Sequence, residues 1–235
     1  MSTRLKSWIN IDLLNWNYLS GNPNAIHLLE LEENFDKIDW YHLSANPNAI
    51  PILEKNIDKI DWGQLSRNPN AIHLLKTHFE MINWTNLSGN PNAIQLLEEY
   101  KYKINWEVLS TNPNAIHLIE KYMELINWYS LSTNPNAIYI LEKNPDKINW
   151  YALCFNNSGI ELFKKNIDKI NWTLVANNPN YYQLFQDNVD VCNLNSFFNY
   201  FWKELSENPA AIDLLEKNKK KINWNSLSKN PAIFQ

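Results

Sequence analysis

The residue types able to do chemistry recur along this 235-residue chain at fixed intervals. Of the five histidines (His27, His42, His73, His78, His117), three stand at one place in a repeating unit: His27, His73 and His117. A column of imidazoles could in principle hold a metal. However, His73 and His117 are two units apart, and stacked helices lie about 8–10 Å apart, which separates them by roughly 16–20 Å. Zinc-bound histidine nitrogens sit about 2.0–2.1 Å from the metal. Pro51, Gln95, Tyr139 and Asp213 occupy the same place in other units. We read it as a variable surface position, and no metal or other cofactor is expected.

The other chemical groups recur in the same way. Ser20, Ser44, Ser66, Ser88, Ser110, Ser132, Ser206 and Ser228 share one place without an attendant His–Asp pair. Such serines are expected to bond backbone at the end of a short helix. Glu30, Glu54, Glu98, Glu120, Glu142 and Glu216 recur, as do Lys37, Lys59, Lys103, Lys147, Lys169 and Lys221. Periodic charges form ladders on a solvated face, whereas a catalytic pair would not return in every unit. Four glycines leave no room for a phosphate-cradling loop. Cys154 and Cys192 replace a repeat Ser and a repeat Ile, outside any CxxC pair, and read as two reduced, buried thiols. The chain is therefore read as no enzyme.

What remains is the unit itself. Trp16, Trp40, Trp62, Trp84, Trp106, Trp128, Trp150, Trp172, Trp202 and Trp224 mark about ten copies, with six successive spacings of 22 from Trp40 to Trp172. A period of this size signals an array in which each unit buries its apolar face against its neighbours. Asn or Asp precedes the Trp in nine copies, as Asp39 does Trp40, and reads as a helix N-cap. Asn46-Pro47 and its equivalents follow, with Asn in all ten copies and Pro after it in nine. Pro ends the first helix by excluding the preceding residue from the α region, and suits the first position of a second one. That second helix is expected from about Pro47 to Asn56, with Ala49, Ile50 and Leu53 inward and Ile60 packing from the following turn. Neither helix reaches the roughly 12–15 residues needed to stand alone, so stacking must stabilise both, with Trp as the spacer between layers.

The expected fold is therefore all-α, an α-solenoid of about ten stacked short helix pairs. Residues 1–14 serve as an N-terminal cap and 15–235 form a single repeat domain. A leucine-rich-repeat-like solenoid is the alternative. It would require Tyr41, Gly63, Thr85, Glu107, Thr173 and Lys203 to point inward from a strand, which Glu and Lys resist.

The repeat breaks in three places. Two extra residues fall within Leu31–Glu33 and are expected to lengthen the second helix. The copy at Trp150 has Asn157, Ser158 and Gly159 where others have Pro-Asn-Ala. Between Trp172 and Trp202 about eight residues are added, ending in an aromatic-rich insertion near 195–202 that holds Phe197, Phe198, Tyr200 and Phe201. It is either an extra helical turn packed into the array or an exposed contact patch for a partner. At the C-terminal edge, Ile222, Trp224 and Leu227 are either covered by a fold-back of Ile233 and Phe234 or meet a second copy in an end-to-end homodimer.

The positions that vary on this fixed frame are the candidates for binding. They are the two residues after Trp (Tyr41, His42, Gln64, Asn86, Glu107, Tyr129) and the one before the fixed Asn (Arg67). Beside them runs a column of asparagines, Asn70, Asn92 and Asn114, which either makes local helix-start bonds or forms an amide ladder for an extended peptide. Phe198 and Tyr200 join the set from the insertion. A protein or peptide partner is expected. A net charge of −4 gathers neither nucleic acid nor anionic lipid, although a single-stranded RNA binder stacking bases on the repeat aromatics is the alternative. No run of eighteen apolar residues exists, so no membrane span is expected, and no signal peptide is read at the N-terminus.

The run N-P-N-A-I-x-L-L-E with I-N-W-x-x-L-S, from Asn15 to Ile233, resembles short tandem repeats abundant in proteins of giant DNA viruses of amoebae. The resemblance implies a large-virus origin and a cytoplasmic setting in the host, or a place in the virion. It implies no activity and carries over no site residues. The stretch Asn195–Trp202 departs from its pattern.

Overall fold

The computed structural model describes residues 8–175, 181, 184, 188 and 198–233. Chain contacts divide it into two units, Met1–Ile126 and Asn127–Gln235, with the boundary at a repeat junction. Both are all-α, and no strand occurs among the described residues, so the leucine-rich-repeat alternative falls. In the first unit the first helices of the repeat are Trp16–Ser20, Trp40–Ala45, Trp62–Arg67, Trp84–Ser88 and Trp106–Thr111, each packed on the next. In the second unit Trp128–Thr133 packs on Trp150–Leu153, and Phe198–Glu207 packs on both Trp172–Val175 and Trp224–Leu227. Each unit is thus a solenoid-like stack of short helix pairs.

The caps explain why such short helices form. Asp39, Asp61, Asn83, Asn105 and Asn127 each sit in extended backbone, with a side-chain oxygen accepting the backbone N–H three residues on. Pro47 then holds Asn46 extended at ψ 116°, and the helix stops. The second helix starts later than the sequence led us to expect. Asn46 Oδ1 accepts from Asn48 N–H and the Ala49 N–H bonds Asn46 C=O, a tight turn rather than an α-turn. The α-helix proper is Ile50–Glu54, and a 3₁₀ turn, Ile57–Lys59, follows it. Asn56 closes the helix by donating its amide to Ile52 C=O at 2.8 Å.

The core is aliphatic. Leu43, Leu65, Leu87 and Leu109 of the first helices are completely buried, as are Ala49, Leu53, Ala71 and Leu75 of the second. Ile60, Ile82 and Ile104 seal it from the turns. The repeat tryptophans from Trp16 to Trp150 are only half-buried, which corrects their expected role as core spacers. A six-residue helix carries one inward line, and the Leu three residues on takes it.

The layers are joined by a polar ladder that the sequence reading treated as caps alone. Asn46 donates its amide to Ser20 C=O (2.9 Å) and Asn22 C=O (3.1 Å) of the preceding repeat. Asn68 does the same to Ser44 and Asn46, Asn90 to Ser66 and Asn68, and Asn112 to Ser88 and Asn90. In the second unit Asn156 bonds Ser132 and Asn134, and Asn230 bonds Ser206 and Asn208. The serines make a second rail. Ser44 Oγ donates to Trp40 C=O (2.7 Å) and accepts the cap N–H of Asp61 (3.0 Å) in the next repeat.

The irregular places have local causes. The two residues added near Leu31–Glu33 lengthen the 3₁₀ turn to Glu32–Lys37, while the second helix, Ile26–Leu29, is short; the expected longer helix is not formed. Asn34 still closes the helix, but reaches back six residues to Leu28 C=O instead of four. Gly159 stands in the alanine place because Tyr181, in the alanine place of the next repeat, fills the layer. A Cβ on Gly159 would lie 2.8 Å from the Tyr181 hydroxyl and 3.0 Å from Leu153 Cδ1. That hydroxyl donates to Asn156 C=O. After the insertion the first helix is longer, Phe198–Glu207, adding a turn before Trp202. Residues 195–197 lie outside the described residues. At the edges Trp8 and Leu13 are exposed, and so are Trp224 (64%) and Ile233 (40%). Ile233 therefore does not cover Trp224, and Phe234 lies outside the described residues.

Two stability outcomes follow from this anatomy. Asn90→Asp keeps the cap acceptor but removes both donors and leaves a buried carboxylate facing two carbonyls. It should cost about 3 kcal/mol or more at pH 7, while Asp61→Asn at the first-helix cap should change stability by less than about 0.5 kcal/mol. Urea midpoints for the two variants check this, and equal midpoints would remove the ladder from its structural role. Leu109→Ala should cost about 2–5 kcal/mol as a core truncation. Trp106→Ala, whose ring is partly exposed, should cost about 2–3 kcal/mol. A much larger loss for the tryptophan would restore it as the spacer.

Candidate functional site

The outward row of the first helices carries the residues free to meet a partner. Tyr41 and Tyr129 are about half exposed, and Arg67 and Glu107 are exposed. They reach solvent because each stands two residues from the buried Leu of its helix, on the opposite side. The next position faces the neighbouring repeat instead. Asn86 donates its amide to Gly63 C=O at 2.9 Å, Ser130 and Ala152 are buried, and His42 and Gln64 are half-buried. His42 lies edge-on to Tyr41 (5.3 Å between ring centroids) and to Tyr18 (6.2 Å). Its ring Nδ1 is 2.9 Å from Asp39 Oδ1.

The asparagine column has a role that neither expectation described. Asn70, Asn92 and Asn114 are exposed, yet each donates its amide to the carbonyl of Pro47, Pro69 or Pro91 in the preceding repeat, at 2.8–3.1 Å. One of the two N–H groups of each amide is thus engaged between repeats. Phe198 and Tyr200 fall in the helix Phe198–Glu207, and their side chains lie outside the described residues.

A second face went unnoticed in the sequence. The tryptophan rings pack against residues of the 3₁₀ turns: Phe35 on Trp40 (5.5 Å), His78 on Trp62 (5.1 Å), Phe79 and Tyr100 on Trp84 (5.4 and 5.6 Å), Tyr122 on Trp106 (5.3 Å). Lysine ammonium groups cover several of these rings: Lys37 on Trp16 and Lys59 on Phe35 (both 4.9 Å), Lys121 on Tyr122 (5.5 Å). The signal was present as His or Tyr sixteen residues after Trp (His78, Tyr100, Tyr122) and Phe five before it (Phe35, Phe79). Here the surface is half-buried aromatic with cationic lids.

Charges on the second helices pair between repeats. Glu98 meets Lys121 at 2.9 Å and His117 at 3.9 Å, Glu54 meets His73 at 2.7 Å, and Glu142 meets Lys165 at 3.1 Å. Lys121 holds the Glu98 carboxyl below its usual range. These histidines thus have carboxylate neighbours, and among the described residues no group of three His, Cys, Asp or Glu is placed to hold a metal ion. The rail serines Ser20, Ser44, Ser66, Ser88, Ser132 and Ser206 are buried, each donating to the Trp carbonyl of its own repeat and accepting a cap N–H of the next. Cys154 copies them: its thiol donates to Trp150 C=O at 3.3 Å, and burial raises its pKa. Cys192 lies outside the described residues. Among those residues no helix is long and apolar enough to cross a membrane.

Comparison with protein-family models, curated proteins and solved structures finds no match for this chain.

Asp39 supplies a pH test of the cap beside the candidate site. Burial alone would raise its carboxyl, but the hydrogen bonds from His42 N–H and from its ring, together with the ring's charge, outweigh burial and lower it below the usual 3.8. A lowered folded-state value contributes stability above the unfolded value, and that contribution is lost as pH falls through 3.8 and below. Asp39→Asn keeps a cap acceptor, so it should lie within about 0.5 kcal/mol of the parent at pH 7 and lose less stability between pH 5 and pH 3. Urea midpoints at the three pH values read the outcome, and parallel curves for both proteins would contradict it.

Proposed function

We propose that this chain is a non-enzymatic repeat scaffold that binds a protein or peptide through the outward row of its first helices. A setting in the host cytoplasm or the particle of a large amoebal DNA virus belongs to the same reading and rests on the motif resemblance alone. The observation that carries the binding reading is the division of labour within a repeat. The recurring Asn and Ser side chains are engaged in the ladder, while the exposed place after Trp changes identity from copy to copy, as in Tyr41, Thr85 and Glu107 of the first unit. A constant frame with a changing face can be fitted to one partner without disturbing the fold.

The RNA alternative needs a positively charged groove along the backbone, and the chain carries a net charge of −4. The variant Tyr41→Ala/Arg67→Ala/Glu107→Ala should keep the unfolding midpoint, since surface changes cost within about 0.5 kcal/mol each. It should lose a partner that the parent retains in affinity purification with mass spectrometry. Retention of the same partner at the same yield would move the contact elsewhere. A gel shift with random RNA at low salt that vanishes as salt rises would replace the scaffold reading with the RNA one.

A further inference from the structure

The turn after the second helix of the Trp202 repeat departs in charge from several of its equivalents. Asn56-Ile57-Asp58-Lys59, Asn144-Pro145-Asp146-Lys147 and Asn166-Ile167-Asp168-Lys169 each pair one acid with one base, whereas this turn reads Asn218-Lys219-Lys220-Lys221. In two of those equivalents the acid neutralises its neighbour, Asp146 at 3.7 Å from Lys147 and Asp168 at 3.1 Å from Lys169. Here a lysine takes the acid's place. Lys217, Lys219 and Lys220 make no ion pair among the described residues.

The backbone is unchanged by this exchange. Asn218 donates its amide to Leu214 C=O at 2.9 Å, as Asn56 does to Ile52, and Lys221 N–H bonds Asn218 C=O at 2.8 Å. The lysines therefore stand on a fixed 3₁₀ turn, Lys219–Lys221. A cavity of about 430 Å³ opens there, lined by Glu216, Lys217, Asn218, Lys219, Lys220 and Lys221. Lys221 lies over the Trp202 ring, 5.0 Å from its centroid, which leaves Lys217, Lys219 and Lys220 beside the single carboxylate of Glu216 in a chain whose net charge is −4. A multivalent anion would neutralise this local excess of positive charge. Lysines bind phosphate as compact point charges.

We propose that this turn is a binding site for a polyphosphate group, a run of two or three linked phosphates, whether free or as part of a nucleotide. A single phosphate leaves part of the cluster uncompensated, and the opposite net charge of the chain disfavours a long nucleic-acid track. This site stands independently of the scaffold reading.

Isothermal titration calorimetry of the full chain at 0.15 M salt, with tripolyphosphate, ATP and sulfate as probes, tests it. Tripolyphosphate should bind saturably at one site, ATP comparably, and sulfate at least tenfold more weakly. The variant Lys219→Ile/Lys220→Asp restores the Ile-Asp-Lys turn of Ile57–Lys59, so it should fold with an unchanged circular dichroism spectrum, and it should bind tripolyphosphate at least tenfold more weakly. The single change Lys220→Asp should weaken binding in the same direction. No saturable binding, equal affinity for sulfate, or equal affinity in the variants would overturn the site. RNA affinity that grows with length beyond the cavity would overturn it in favour of a nucleic-acid surface.

Discussion

The side-chain amide of the asparagine before each proline is the group on which the stack depends. Buried almost completely, Asn68 uses its oxygen to cap the turn it begins and its nitrogen to hold two carbonyls of the preceding repeat. Each bond is worth only about 0.5–1.5 kcal/mol net, but a buried carbonyl left without its donor costs about 1–3 kcal/mol. The ladder is therefore less a source of stability than a condition of register. Two repeats that slip by one residue lose the amide from both carbonyls together. Asp could cap but not donate, and would bury a charge. Ser and Thr carry a single donor, and Gln would push the layers apart.

From that constraint the rest of the unit follows. The amide reaches the neighbouring carbonyls only if the layers are close, which is why Ala49, Ala71 and Ala93 are small and completely buried. The second unit makes the point by exception. Tyr181 occupies an alanine place, Gly159 yields the missing volume one repeat earlier, and the tyrosine hydroxyl bonds Asn156 C=O. Residue identity changed in both layers while the acceptor remained satisfied. Packing volume and hydrogen bonding thus covary across repeats, since neither can be altered in one layer alone.

The period, the caps and the helical class were legible because they depend on neighbours in sequence: a cap, a proline, an inward Leu. The ladder was less legible, since its partners lie 22 and 24 residues apart. A trace of it was nonetheless present. The cap before Trp alternates between Asn and Asp, whereas the residue before Pro is Asn in every copy, and only a group that must donate as well as accept has reason to refuse Asp. The tryptophans from Trp16 to Trp150 are only partly buried, because in a helix of six residues the ring extends past the inward line to the turns, whereas Trp172 and Trp202 are buried as core. Of the candidate site, the exposure of Tyr41, Arg67, Glu107 and Tyr129 was legible. The engagement of Asn70, Asn92 and Asn114 with proline carbonyls was not, because it needs the layer spacing.

The same geometry decides where function can reside. The side chains that bond the next layer, the Asn of the ladder and the Ser of the rail, keep one identity in nearly every repeat. Positions on the outward row and at the middle of the 3₁₀ turns make no bond of the ladder, so they can exchange an acid for a base, as Asp58 and Lys220 do on turns of the same form. A repeat built this way separates the chemistry that holds it together from the chemistry it offers. Charge can therefore be concentrated at one turn, against the sign of the whole chain, without rebuilding the fold beneath it.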